Sequence, residues 1–181
     1  MSDRWVAVTG ASGNLGAATV AALTESGTRC VLVDRSSESL ARAYPDAPKH
    51  RMLPLDLGDE RAVRAAFDGL AHDGLELAGL VCTVGGYVGG TPVDASDWDV
   101  FEKMFALNVK TALTCARAVL PHFERRGGGA IVNVASMAAL AGGAGESAYA
   151  ASKAALLRLT ESLAAEQKSK GVRVNAVLPG T

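Results

Sequence analysis

Short valine-rich runs alternate with amphipathic stretches along the whole chain, and this alternation leaves few folds open. RWVAVTG, TRCVLVD, HRMLPLD, LAGLVCTVGG, GAIVNVAS and GVRVNAVLPG read as strands, the third interrupted by Pro54. Between them, NLGAATVAALTESG, SESLARAY and DERAVRAAFDGLAHD read as helices. So do two longer stretches, SDWDVFEKMFALNVKTALTCARAVLPHFERR and AYAASKAALLRLTESLAAEQKSK. Strands without a polar face are covered on both sides, which is the setting of a parallel sheet. The connections are long enough for right-handed helical crossovers. The pattern predicts α/β architecture, a doubly wound parallel sheet forming one domain over residues 1–181.

The bulk numbers narrow the function. The chain is 49% apolar and 20% charged with a formal net charge of −1, a globular balance with no basic excess for nucleic acid. The opening MSDRWVAVTG lacks the long apolar block of a secretory signal, and no run reaches the length of a membrane span. Cys30, Cys82 and Cys115 are far apart in apolar surroundings. A metal cluster needs close ligand pairs, so the expectation is no metal and free buried thiols in a reducing, cytoplasmic setting.

The first strand runs into TGASGNLG, with Gly10, Gly13 and Gly16 three residues apart. Glycines let a chain turn tightly and approach a pyrophosphate, and the following helix offers free backbone N–H groups to an anion. A glycine-rich turn alone is weak evidence; the strand–turn–helix context strengthens it. Asp34 closes the second strand, where a carboxylate can accept the hydroxyls of an adenosine ribose. A 2′-phosphate would meet a like charge there, which favours NAD over NADP, while the adjacent Arg35 can stack on adenine or reach a phosphate. Asp34 also reads as an N-cap of the next helix. Asp56, ending the third strand in LPLDL, is a turn or cap residue or an acceptor for the adenine amino group.

Tyr149 and Lys153, in SAYAASK, are four residues apart and share a helical face. A phenol with a pKa near 10 is a poor proton shuttle at neutral pH unless an ammonium group favours its anion. So primed, it can move a proton to or from a carbonyl oxygen. Such a pair also arises by chance on helices. Ser136 closes the fifth strand, at the edge that faces ligands in this architecture. Asn108 interrupts an apolar stripe of Phe101, Phe105, Ala112, Cys115, Val119 and Phe123. A core amide there needs partners, a backbone carbonyl among them.

Taken in order, TGASGNLG, the acid of VLVD, LDL, the NV of ALNVKT, VNVAS, YAASK and VNAVLPG resemble the short-chain dehydrogenase/reductase family, over the whole chain. The resemblance implies a Rossmann-like fold and an oxidoreductase that interconverts an alcohol with a ketone or aldehyde by hydride transfer. A 3-oxoacyl reductase is one member of that set. It implies Tyr149 as general acid/base, Lys153 as its tuning cation and holder of the nicotinamide ribose, Ser136 against the substrate oxygen, and Asn108 anchoring a water that links Lys153 to solvent. It places the dinucleotide against Gly10, Ser12, Gly13, Asn14, Leu15, Gly16, Asp34 and Arg35, with Asp56 and Leu57 flanking adenine. Val84, Gly85, Gly86, Tyr149, Lys153, Pro179 and Gly180 complete that set. It also implies a homodimer or homotetramer, built on the lines Phe101–Phe105–Ala112–Cys115 and Leu156–Leu159–Leu163, which serve equally to cover the sheet. Cofactor-binding regulators with little turnover, and nicotinamide-using epimerases or dehydratases, are competing functions.

Three features depart from the family pattern. Asn14 stands where many members carry glycine, and asparagine tolerates a left-handed backbone. Cys82, Thr83, Val84 and Gly85 stand where many relatives have two asparagines, alanine and glycine, so the asparagine support of the sheet is missing and Cys82 is expected to be a small core residue. Last, the sequence ends at PGT, where relatives continue into a substrate lid and a seventh strand; the expectation is that a further segment belongs to the protein, since Val172 to Leu178 would otherwise be an exposed apolar edge.

Overall fold

The computed structural model describes residues 4–46 and 48–180; residues 1–3 and 181, the ends of the expected 1–181 domain, lie outside it. Six parallel strands form one sheet: β1 (Trp5–Thr9), β2 (Arg29–Asp34), β3 (Arg51–Pro54), β4 (Leu77–Cys82), β5 (Gly129–Val134) and β6 (Val172–Val177). Their order is β3-β2-β1-β4-β5-β6, so the winding reverses between β1 and β4. In such sheets ligands bind at that reversal, beyond the carboxyl ends of the strands. The helices are α1 (Asn14–Glu25), α2 (Ser37–Ala43), α3 (Glu60–His72), α4 (Trp98–Phe105), α5 (Thr111–Arg126) and α6 (Ser147–Gln167).

Successive strand residues alternate between two cores. Ala7, Val31 and Val33 pack with Val63 and Phe67 of α3, Cys115, Val119 and Phe123 of α5, and Leu156 and Leu163 of α6. Val8, Cys30 and Leu32 pack on the opposite face with Val20 of α1 and Leu40 of α2. Phe67 and Phe123 are fully buried. Truncating either to alanine would cost about 3–5 kcal/mol.

The expected single long helix over residues 96–126 is interrupted. Residues Ala106–Lys110 form one wide π turn between α4 and α5. The extra residue rotates the faces on either side relative to one another. The apolar line therefore splits: Ala112 and Cys115 are buried in the core, whereas Phe105 is exposed and Phe101 half-buried, stacked on an exposed Trp98. The other line behaves as a core stripe, with Leu156 and Leu163 buried and Leu159 packed against them. No described helix is long and apolar enough to cross a membrane.

Candidate active site

The first turn is shaped by its glycines. Gly10 leaves β1 at φ +63°, and a Cβ there would come within 3.0 Å of the Thr83 hydroxyl. A Cβ on Gly16 would run into the Gly10 carbonyl, so helix and turn touch backbone to backbone. Gly13 caps α1 with no side-chain hydrogen bond, leaving the first-turn N–H groups of the helix uncapped by a side chain at its positive end. Asn14 is ordinary first-turn helix; among the described residues only glycines have positive φ, so its left-handed tolerance is not used.

Asp34 is not a helix cap. Ser36 caps α2, accepting the Ser39 N–H at 3.0 Å. Asp34 instead accepts the Ser12 N–H at 3.2 Å and the Ser12 hydroxyl at 2.6 Å, tying the glycine turn to the end of β2. Tyr44 adds a brace unseen in the sequence, donating its phenol to the Ala11 carbonyl at 2.6 Å. Arg35 is exposed beside them. Asp56 closes a local turn by accepting the Gly58 N–H at 2.8 Å, while Asp59 caps α3. Leu57 is buried in the core, so only its backbone can meet a ligand.

Across the reversal point, Thr83 replaces the expected asparagine support. Its hydroxyl donates to the Thr9 carbonyl at 2.6 Å and its N–H to the Thr9 hydroxyl at 3.2 Å, stitching the end of β4 to β1. Cys82 is a buried core residue whose thiol burial pushes well above the usual range. Burial likewise raises Cys30 to about 11 and Cys115 to about 12. None is a thiolate at neutral pH.

The π turn sets Asn108 beneath the β4 loop. Its Oδ1 accepts the Gly86 N–H at 2.9 Å, and its Nδ2 donates to the Gly86 carbonyl at 3.1 Å and the Ser152 hydroxyl at 2.9 Å. The amide thus reads a backbone unit on both sides. A Cβ at Gly85 would fall 2.8 Å from Asn108 Oδ1 and 3.3 Å from Lys153 Nζ, so this glycine brings the loop onto both groups. Lys153, itself buried, donates to the Val134 carbonyl at 2.8 Å, and burial lowers its pKa. Its ammonium lies 5.9 Å from the centre of the Tyr149 ring. Ser136 leaves β5 extended and caps the next turn. The Met137 N–H donates to the Pro179 carbonyl at 3.1 Å, holding the end of β6 alongside.

These groups converge on an open cleft of about 1040 Å³, lined by Ser136, Tyr149 and Lys153 together with Gly85, Gly86, Pro179 and Gly180. Val84 turns into the core and Asn108 lies behind the wall. The Gly10–Gly16 turn, Asp34 and Asp56 stand outside this cleft, at the same carboxyl edge of the sheet beyond β1, β2 and β3. Residues 4–181 match the family model described as short chain dehydrogenase. The chain belongs to the short-chain dehydrogenase/reductase family, an oxidoreductase family.

Among relatives, it is 36% identical over 183 residues to cis-4-hydroxycyclohexanecarboxylate dehydrogenase of Sinomonas cyclohexanicum, covering 99% of this chain and 73% of that one. Its fold superposes on a xylitol dehydrogenase with NAD+ bound at a TM-score of 0.93 and 34% identity, over 98% of this chain and 70% of the other. A gluconate 5-dehydrogenase from Burkholderia cenocepacia, in complex with NADP and tartrate, matches at 0.91 and 28%, over 99% and 72%. Both dinucleotides thus occur in similar short-chain dehydrogenase/reductase folds. The turn here fits such a group: glycines stand where a Cβ would obstruct the backbone, and uncapped N–H groups await an anion.

The wall of the cleft holds one pair not singled out as functional in the sequence. The Tyr87 phenol lies 3.2 Å from Glu146 Oε1, and its ring meets Tyr149 edge-on at 4.9 Å. The glycine-rich segment around Tyr87 is also tied down, since the Gly90 N–H donates to the Gly145 carbonyl at 2.9 Å.

Proposed function

We propose that the protein is an NAD-dependent dehydrogenase that interconverts a small-molecule alcohol and its ketone or aldehyde. The convergence of Ser136, Tyr149 and Lys153 on one cleft at the strand ends carries this reading. When bound, the dinucleotide supplies the two-electron partner at its nicotinamide: alcohol and NAD+ give carbonyl, NADH and one proton. Ser136 holds the substrate oxygen. Tyr149 takes the hydroxyl proton in oxidation and returns it in reduction. Lys153 is anchored by the Val134 carbonyl, so its charge stands at a fixed place 5.9 Å from the centre of the Tyr149 ring. The sharing of the cleft with Pro179 and Gly180 supports placing the nicotinamide there, and the helix N-terminus without a side-chain cap supports placing the pyrophosphate at the first turn. Asn108 acts through Gly86 and the Tyr149 turn, which supports a positioning role beside the expected water anchor.

Asp34 favours NAD. Its carboxylate is held at the ribose end of the crevice by Ser12, where a 2′-phosphate would add a like charge. The exposed Trp98 and Phe105 support the expected homodimer or homotetramer. The decisive experiment follows NADH at its absorbance across a panel of alcohols and ketones, with Tyr149→Phe as control and both reduced dinucleotides titrated. Turnover in the variant should fall at least about 1000-fold while NADH binding persists, tighter than NADPH. A Tyr149→Phe protein that still turns over at the original rate overturns the assignment.

A further inference from the structure

We propose that Tyr87 and Glu146 form a substrate-sorting pair, which admits an uncharged, hydroxylated substrate and turns away one bearing a carboxylate. The inference rests on the dehydrogenase reading for the reaction that is being sorted.

Glu146 stands at the cap position of α6, yet its side chain caps nothing. It reaches instead to Tyr87, 59 residues away in sequence, and both side chains line the cleft with Tyr149. Space for the pair is built in. A Cβ on Gly89 would run into the Tyr87 phenol, and one on Gly143 would lie 2.7 Å from Glu146 Oε2. Two loops from different strand ends therefore keep side-chain-free ground for one hydrogen-bonded pair.

Charge decides what the pair selects. The charged side chains lining the cleft are Glu146 and Lys153. Lys153 is 5% exposed and donates to the Val134 carbonyl at the floor, whereas Tyr87 is 58% exposed at the wall. No cation reaches Glu146 among the ion pairs of the described residues. The single phenolic proton of Tyr87 occupies one carboxylate oxygen, and the remaining lone pairs accept a substrate hydroxyl. A substrate carboxylate offers no proton and brings a like charge, which such a site penalises. The edge contact between Tyr87 and Tyr149 couples this wall to the ring that moves the proton, so substrate is sorted where it reacts.

The test is equilibrium binding by saturation-transfer NMR in the presence of NADH, with sorbitol and gluconate as probes. Wild type should prefer sorbitol about tenfold or more, and Glu146→Gln should bring the ratio near unity. Tyr87→Phe, which keeps the ring contact and the Glu146 charge but frees the carboxylate from its hydrogen bond, should narrow the preference without abolishing it. Equal affinities in wild type, no binding of either probe, or an unmoved ratio in Glu146→Gln overturns the proposal. Because this readout needs no turnover, a binding preference without any NADH chemistry would defeat the dehydrogenase reading alone.

Discussion

The two ends of the crevice are held by different means. At the β1 end, main chain touches main chain: Gly16 against the Gly10 carbonyl, Ala11 N–H on the Val33 carbonyl at 3.1 Å, and short side chains such as Ser12 closing the gaps. Beyond β4 and β5, side chains make the joins instead, with Asn108 gripping Gly86 and Tyr87 reaching Glu146. Backbone contact tolerates almost no substitution, because an added atom has nowhere to go. Side-chain contact is adjustable, and its chemistry can change without moving the sheet. The first arrangement suits a ligand portion that never varies, the second one that does.

Breaking the backbone end should produce the largest effect. Gly16→Ala forces α1 away from the turn, and the predicted loss exceeds about 4 kcal/mol, read from the denaturant midpoint, with NADH affinity lost in whatever still folds. Asn108→Ala comes next. It strips the Gly86 N–H and carbonyl and the Ser152 hydroxyl of one shared partner, for an expected loss of about 3 kcal/mol. Turnover should fall with it, and a variant as stable as wild type would show that the β4 loop does not depend on this amide.

The smallest effect has the opposite sign. Burial lowers the Lys153 pKa, so the folded state binds its proton less readily than the unfolded chain does. The charge is a stability cost below the folded pKa, and it is relieved as pH rises from there toward the ordinary lysine value of 10.5. Lys153→Met should therefore raise the melting temperature at pH 7 by roughly 2–4 °C, with the gain shrinking at alkaline pH, while turnover is lost. A lower melting temperature at pH 7 would show that the bond to Val134 outweighs the burial of the charge.

Legibility followed the same division. The strands and the glycine turn were readable because their signals are local: a run of valines, or three glycines in spacing. That Tyr149, Lys153 and Ser136 meet at one cleft was readable through ordered motifs. The Asp34–Ser12 tie, the Tyr44 brace and Thr83 as a stand-in for asparagine were not, since each joins elements whose spacing only the folded sheet defines. Glu146 was hidden for another reason: an acid beside a helix start has an ordinary electrostatic role that masks its reach to Tyr87. The split of the Phe101–Phe105–Ala112–Cys115 line escaped because apolar periodicity assumes a constant turn angle.

That wide turn at residues 106–110 acts as a vernier on the long helix. Removing one residue there would restore regular winding and swing everything upstream by about 100° relative to α5. The aromatic ridge of Trp98, Phe101 and Phe105 would change its bearing on the surface, and the fit of Asn108 beneath Gly86 would be lost with it. Residue count in this turn, as much as residue identity, sets how the outer flank of the molecule is clocked against its reactive interior.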